Sequence, residues 1–384
     1  MSIEILDERY IARYFQIAAV GASIDYMPST LRNKVLEGIF SRELVFRDDA
    51  EFTSFRDSLA KLLDEICASH IYTPSIYTAG IKDKNILSTE ITRATGIPIT
   101  IGKKLDCSYL RSLTSSIKRD HLSKVVKTPI VLRATVFSRF RDLGEVENIE
   151  VGSLWLALIG SVLTLSSVFK EKGAGKKDNE IYILPDGSLA SIDASKILYR
   201  ILHSSRVNKS MGLVISNIIR GDIGVSIERM ILLSAMIHFI QEEDLAYRLA
   251  DARGYEAFSI YRIAVENRPQ LTLQLPLAIS EPILILKDSD ATSLLDLIYS
   301  LIYITATVED KRIRNALQTP LAHTINSLFR YFETGIIVEL SDASAILSRA
   351  YTHLLNIENK NSRQAAMAAS MMLNILSKIA RKVR

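Results

Sequence analysis

The sequence predicts an α+β protein: an irregular mixed N-terminal domain over residues 1–285, then a mainly helical region that ends in a C-terminal four-helix bundle over 286–384. Three observations predict it. The last hundred residues repeat apolar side chains at helical spacing, and segments between 130 and 192 are rich in β-branched residues and turn signals. A chain of 384 residues with 48% hydrophobic side chains can also bury large cores without cross-links.

Taken in order, the opening "MSIEILDERYIARYF" mixes acids with bases and has no uninterrupted apolar run. It fits neither a secretory signal nor an acid-poor transit peptide, so a cytoplasmic location is expected. After "RDDA", whose aspartates suit a helix start, Phe52, Phe55, Leu59, Leu62 and Ile66 recur at helical spacing. "IVLRATVF" at 130–137 reads as a strand.

Residues 151–169 carry no charge over nineteen positions between Glu150 and Lys170. At helical spacing, Ser153, Ala157, Gly160 or Ser161, Thr164 and Ser167 form a small-residue face, and Val151, Leu154, Leu158, Val162, Leu165 and Phe169 a large one. A helix apolar all round belongs in a bilayer or a protein interior. The polar loop "KEKGAGKKDNE" that follows favours a buried central helix.

"EIYILPDGSLASI" places Pro-Asp-Gly between apolar runs and predicts a hairpin. From about residue 195 the pattern turns helical, interrupted by "RPQLTLQLPLAISEPILIL", whose prolines and alternating leucines predict extended chain. Four helical stripes close the sequence. The first holds Leu294, Leu297 or Ile298, Leu301 and Val308; the second Leu317, Leu321, Ile325, Leu328 and Phe332, with a bend expected at Pro320. The third holds Ile346, Ala350, Leu354 and Ile357, and the fourth Met372, Ile375, Ile379 and Val383.

The net charge of +4 is unevenly spread. Residues 1–65 carry twelve acids against eight bases, whereas 103–141 carry ten bases and only Asp106 and Asp120. Beyond Glu358 no acid occurs, and Lys360, Arg363, Lys378, Arg381, Lys382 and Arg384 make the tail +6. Such asymmetry points to a polyanion partner. Read as a helix, "DCSYLRSLTSSIKRDHL" puts Ser108, Arg111, Ser115 and Lys118 on one face with Arg119 beside it. Strand alternation in "RATVFSRFR" puts Arg133, Thr135, Phe137, Arg139 and Arg141 on one side. Cations with hydroxyls and an interleaved aromatic suit phosphates and bases. The candidate nucleic-acid-binding residues are Lys103, Lys104, Arg111, Lys118, Arg119, Arg133, Arg139 and Arg141, with Lys172, Lys176 and Lys177 of the "GAGKK" loop. A solvated positive face is the plainer account of the same cluster. On the last helix Asn374, Lys378, Arg381 and Lys382 lie opposite the apolar stripe, where favourable charge at a helix end is the simpler reading and a polyanion-facing surface the other.

No catalytic constellation is expected. His70, His121, His203, His238, His323 and His353 are scattered without metal-type spacing. "GAGKK" lacks the first glycine and the terminal hydroxyl of a phosphate loop, and "QEEDL" at 241–245 reads as a charged helix end. Cys67 and Cys107 read as small core residues in a reducing compartment. Neither metal nor cofactor is implied.

"GEVENIEVGSLWLALIGSVL", "IYILPDGSL" and "RPQLTLQLPL", in that order ahead of a helical C-terminal region, resemble the large subunit of archaeal type I-A CRISPR interference complexes, the Cascade family. The similarity covers roughly residues 85–384. It implies a non-enzymatic subunit that helps recognise the motif beside a double-stranded DNA target. It further implies partners: guide RNA, backbone subunits and a recruited helicase-nuclease. No binding residue of that family is carried onto this chain. The alternative is a helical scaffold that binds other proteins without nucleic acid, and a membrane anchor at 151–169 is the third reading.

Overall fold

The computed structural model describes residues 1–67, 86–98, 107–128, 148–170, 178–202, 211–239, 258–265, 270–277 and 291–382. They form an α+β protein in two compact units, with a mainly helical C-terminal region.

In the first unit, β1 (Ser2–Glu4) leads into α1 (Ile11–Ser23), α2 (Ser29–Ser41), β2 (Glu43–Val45) and α3 (Asp49–Cys67). The short α4 (Ile91–Thr95), α5 (Cys107–Ser116), a 3-10 turn at Arg119–His121, β3 (Val125–Lys127) and β4 (Asn148–Glu150) follow. Next come α6 (Val151–Thr164), β5 (Leu165–Lys170), β6 (Asp178–Pro185) and α7 (Leu189–Leu202). The second unit contributes α8 (Met211–Arg220) and α9 (Ile227–Phe239) before β7 (Phe258–Val265) and β8 (Gln270–Pro276) complete the first. The chain then runs through α10 (Ala291–Thr307), α11 (Lys311–Thr334), α12 (Ile337–Leu355) and α13 (Lys360–Lys382).

The centre of the first unit is α1, held between α6 and α7 over the sheet. Small residues set the spacing. A Cβ on Gly160 of α6 would lie 2.8 Å from the Phe15 Cα, and one on Gly21 of α1 would lie 3.1 Å from the Ile192 carbonyl oxygen of α7. Every residue of α6 is buried, as an all-apolar helix requires. The sheet has strand order β5-β6-β7-β8, with β6, β7 and β8 antiparallel and a bulge at Arg262/Ile263. Phe15 of α1 meets Tyr182 of β6 with ring centroids 5.2 Å apart. Gln16, fully buried, joins three elements: its Oε1 accepts the Leu6 N–H at 2.8 Å, and its Nε2 donates to Glu4 O at 3.0 Å and Ser153 O at 3.2 Å. The expected stripe of α3, Phe52 to Ile66, is buried throughout. Phe52 and Phe55 meet Trp155 edge-on, with Phe46 against both phenylalanines, and the indole N–H donates to Thr114 Oγ1 at 2.9 Å.

Three expectations are corrected in this unit. The apolar stretch is a helix only to Thr164, and Leu165 onward is strand β5 at the edge of the sheet. Ser166 there donates to the Ile181 carbonyl of β6. No helix among the described residues is long and apolar enough to cross a membrane. Pro185-Asp186-Gly187 opens a helix instead of a hairpin. Gly187 takes φ +92°, Asp186 Oδ1 accepts the Ser188 N–H at 2.8 Å, and Ser188 Oγ accepts the Ser191 N–H at 3.2 Å, an N-cap that starts α7. The partner of β6 is β7. Finally, Cys67 is disulfide-bonded, and no free cysteine occurs among the described residues. The chain's one other cysteine, Cys107, opens α5, which packs against α3. The reduced reading rested on the count alone, two cysteines being too few for a disulfide framework.

In the second unit α11 packs on α12, α12 on α13, and α10 on both α11 and α13. Helices α8 and α9 join them, tied by Gln318 Nε2 to Gly221 O at 2.8 Å and by Arg229 Nη1 to Asn326 Oδ1 at 3.0 Å. This unit therefore takes helices from within 1–285, and the first unit ends at Pro276. Asp310 caps α11 by accepting the Arg312 N–H, Gly335 ends it at φ +68°, and the helix is continuous through Pro320. The buried stripe of α12 is Leu340, Ala343, Leu347, Ala350 and Leu354, with Ile346 half-buried on its flank.

Candidate nucleic-acid interface

Of the candidate residues, Arg111, Lys118 and Arg119 are described, whereas Lys103, Lys104, Arg133, Arg139, Arg141, Lys172, Lys176 and Lys177 lie outside the described residues. The strand expected at 130–137 and the QEEDL cluster also lie outside them.

The three described cations do not share one helical face. Helix α5 ends at Ser116, and Lys118 has extended backbone at φ −114°, ψ 161°. Arg111 Nε meets Asp64 Oδ1 at 2.9 Å, near the end of α3. Arg119 Nη1 meets Asp49 Oδ1 at 3.3 Å at its start, and Nη2 donates to the Phe46 and Arg47 carbonyls at 2.8 and 2.9 Å. The two acids are separated along α3 by roughly 22 Å at the helical rise of about 1.5 Å per residue. The guanidinium groups therefore diverge. Arg119 clasps the chain entering α3, while Lys118, Lys124 and Lys127 are exposed without an ion-pair partner among the described residues.

A different surface gathers cations in one row. Helix α13 carries no acid, and its buried side, Ala365, Ala366, Ala369, Met372, Leu376 and Ile379, packs on α10 and α12. Opposite lie Lys360, Arg363, Met367, Ser370, Met371, Asn374, Ser377, Lys378 and Arg381, all exposed. Cations occupy both ends, with hydroxyls, an amide and two methionines between them. From Lys360 to Arg381 the row spans about 31 Å at the same rise per residue. Lys360, Arg363 and Arg381 have no ion-pair partner among the described residues. Sequence reasoning counted Lys360 and Arg363 in the acid-free basic tail but placed only Asn374, Lys378, Arg381 and Lys382 on this face. The signal was present: the helical period extends unbroken to Lys360.

His121 is buried, its Nδ1 accepts the Lys118 N–H at 3.2 Å, and burial lowers its pKa from the ordinary histidine value. Among the described residues no group of three or more histidine, cysteine, aspartate and glutamate side chains is placed to hold a metal ion. No protein-family model matches the chain, and no curated protein matches it.

Proposed function

We propose that the chain is a non-catalytic, nucleic-acid-binding subunit of a larger assembly. The particular assembly proposed is an RNA-guided Cascade complex. There the chain acts as large subunit, meeting guide RNA, double-stranded target DNA, backbone subunits and a helicase-nuclease, in the cytoplasm. The resemblance in segment order supports that choice. The observation that carries the general reading is the outer face of α13, an acid-free row of cations, hydroxyls and amide about as long as one turn of duplex.

The test is fluorescence-anisotropy binding of the purified chain to a short DNA duplex across a salt series. Phosphate neutralisation releases counterions, so the log-log slope should fall by roughly one for each lost contact. The double variant Arg363→Glu/Arg381→Glu is expected to weaken binding and flatten the slope. Absence of binding by the wild-type chain, or an unchanged slope in the double variant, overturns the assignment. A second reading, a helical scaffold for protein partners, is favoured by Met367 and Met371, 67% and 48% exposed at the centre of the same face. Exposed methionines suit adaptable protein contacts. Co-purification of a protein partner that persists after nuclease treatment and is lost in Met367→Ser/Met371→Ser would favour it.

A further inference from the structure

At the start of α1 the first unit gathers arginines and tyrosines from distant parts of the chain. Arg13 is half-buried; its Nη1 donates to the Leu6 carbonyl at 2.9 Å, and it has no carboxylate within ion-pair distance among the described residues. Burial, and then the field of Arg42, lower its pKa from the ordinary arginine value. Arg42 is exposed and shares one carboxylate with Arg9: Asp7 meets Arg42 Nη1 at 3.0 Å and Arg9 Nε at 2.7 Å. Three guanidinium groups thus face one ion-paired acid, with Glu8 and Asp186 exposed nearby.

Two further observations converge on this corner. Arg42 caps α2 at φ 66°, a left-handed conformation that glycine adopts without strain and an arginine rarely does. Strained residues of this kind cluster where a side chain is needed for binding. Tyrosine rings line the same place. Tyr10 lies 5.8 Å from the Arg9 guanidinium, and Tyr14, half-buried, has its ring centroid 6.3 Å from Tyr261. Tyr261 is itself held by a hydrogen bond from Gln274 Nε2 at 3.0 Å.

We propose that Arg13 and Arg42, with Tyr10 and Tyr14, form a site for one nucleotide unit of a single strand, its phosphate between the guanidinium groups and its base against a tyrosine ring. Paired guanidinium groups are suited to a phosphate diester, and bases stack on phenol rings irrespective of sequence. This inference rests on the nucleic-acid reading above but uses none of the residues of α13. It identifies a contact for a strand distinct from the duplex.

The experiment is anisotropy binding of a fluorescein-labelled 12-mer oligouridylate to the full chain, with uridine monophosphate titrated calorimetrically as a separate arm. Arg42→Gly removes the guanidinium while relieving the backbone, so its urea midpoint should equal or exceed that of the wild type. Arg42→Gly and Arg13→Gln should each weaken strand binding about tenfold, while duplex binding stays unchanged. Strand binding by a stable Arg42→Gly protein as tight as that of the wild type sinks this site and leaves the nucleic-acid reading intact. If the wild type binds neither duplex nor strand, that reading fails. Monophosphate binding that is lost in Arg42→Gly would then sustain a site for the free nucleotide, and its absence would overturn the site as well.

Discussion

Alanine at Gly160 places a methyl group where α1 and α6 cross. The new Cβ would stand 2.8 Å from the Phe15 Cα and nearer still to its carbonyl group, against 3.4–4 Å for ordinary contact. The obstructing atoms are backbone, so no side-chain rotation relieves the clash. Helix α1 cannot simply retreat either, because Gly21 on its other flank already sits tightly against α7. Alanine recovers about 1 kcal/mol of helix propensity over glycine. Overpacking a rigid core costs about 1–3 kcal/mol or more, and immobile backbone on both flanks of α1 selects the upper part of that range. The net expectation is a loss of about 2 kcal/mol. Trp155, the chain's one tryptophan, is fully buried in the same helix, so its fluorescence during urea denaturation reports this unit directly. As a control, Gly224→Ala would bring a methyl group only to within 4.0 Å of Ala322 Cβ. It should be neutral or stabilising by up to about 1 kcal/mol, followed by far-ultraviolet circular dichroism. A Gly160→Ala protein with a midpoint at or above the wild type would refute the close helix crossing.

Other consequences can be measured in the same way. Arg119→Ala removes donors to two backbone carbonyls and the ion pair to Asp49, and should cost about 1–3 kcal/mol in urea denaturation; wild-type stability would show that the clasp is unimportant. Cys67→Ser removes the disulfide and should cost about 2–4 kcal/mol in urea denaturation. Reductant should lower the wild-type midpoint and leave that of Cys67→Ser unmoved. Because burial lowers the His121 pKa from 6.5, the fold favours neutral imidazole. That contribution is fully present above pH 6.5 and is lost as the pH falls through the lowered folded value. His121→Gln should flatten this part of the stability profile, and an identical slope in the variant would exclude His121 as its source.

Long amphipathic helices were legible in the sequence because their stripes are redundant. Phe52 to Ile66, and the repeats of α11 and α13, each place several apolar residues on one face, so tertiary packing had only to accept what the period dictated. Boundaries between equally buried states were not legible. Leu165 to Phe169 satisfies a helix or an edge strand alike, and only pairing with β6, a non-local event, selects the strand. Pro185-Asp186-Gly187 signals a turn in both of its outcomes, and the Ser188 cap decides for a helix. Charge counting located the basic middle but not the acids opposed to it. Asp49 and Asp64 belong to another helix, and their separation along α3 is what parts Arg119 from Arg111. The corner at Arg13 was invisible in sequence, since Arg42 and Tyr261 reach it from other elements.

The interval between Pro185 and Phe258 bears on how this chain is made. Strand β6 is complete long before its partner β7 exists, and α8 and α9, synthesised in between, await α10 and α11 of the later chain. On the ribosome neither unit can finish before the other has begun. A nascent chain arrested after residue 185 exposes an apolar strand edge that only later residues cover, an aggregation hazard. Dissection by a single cut will therefore yield two incomplete halves, whereas excising 169–176, 209–251 and 277–384 together, and bridging the gaps in each piece, respects the way the molecule is divided.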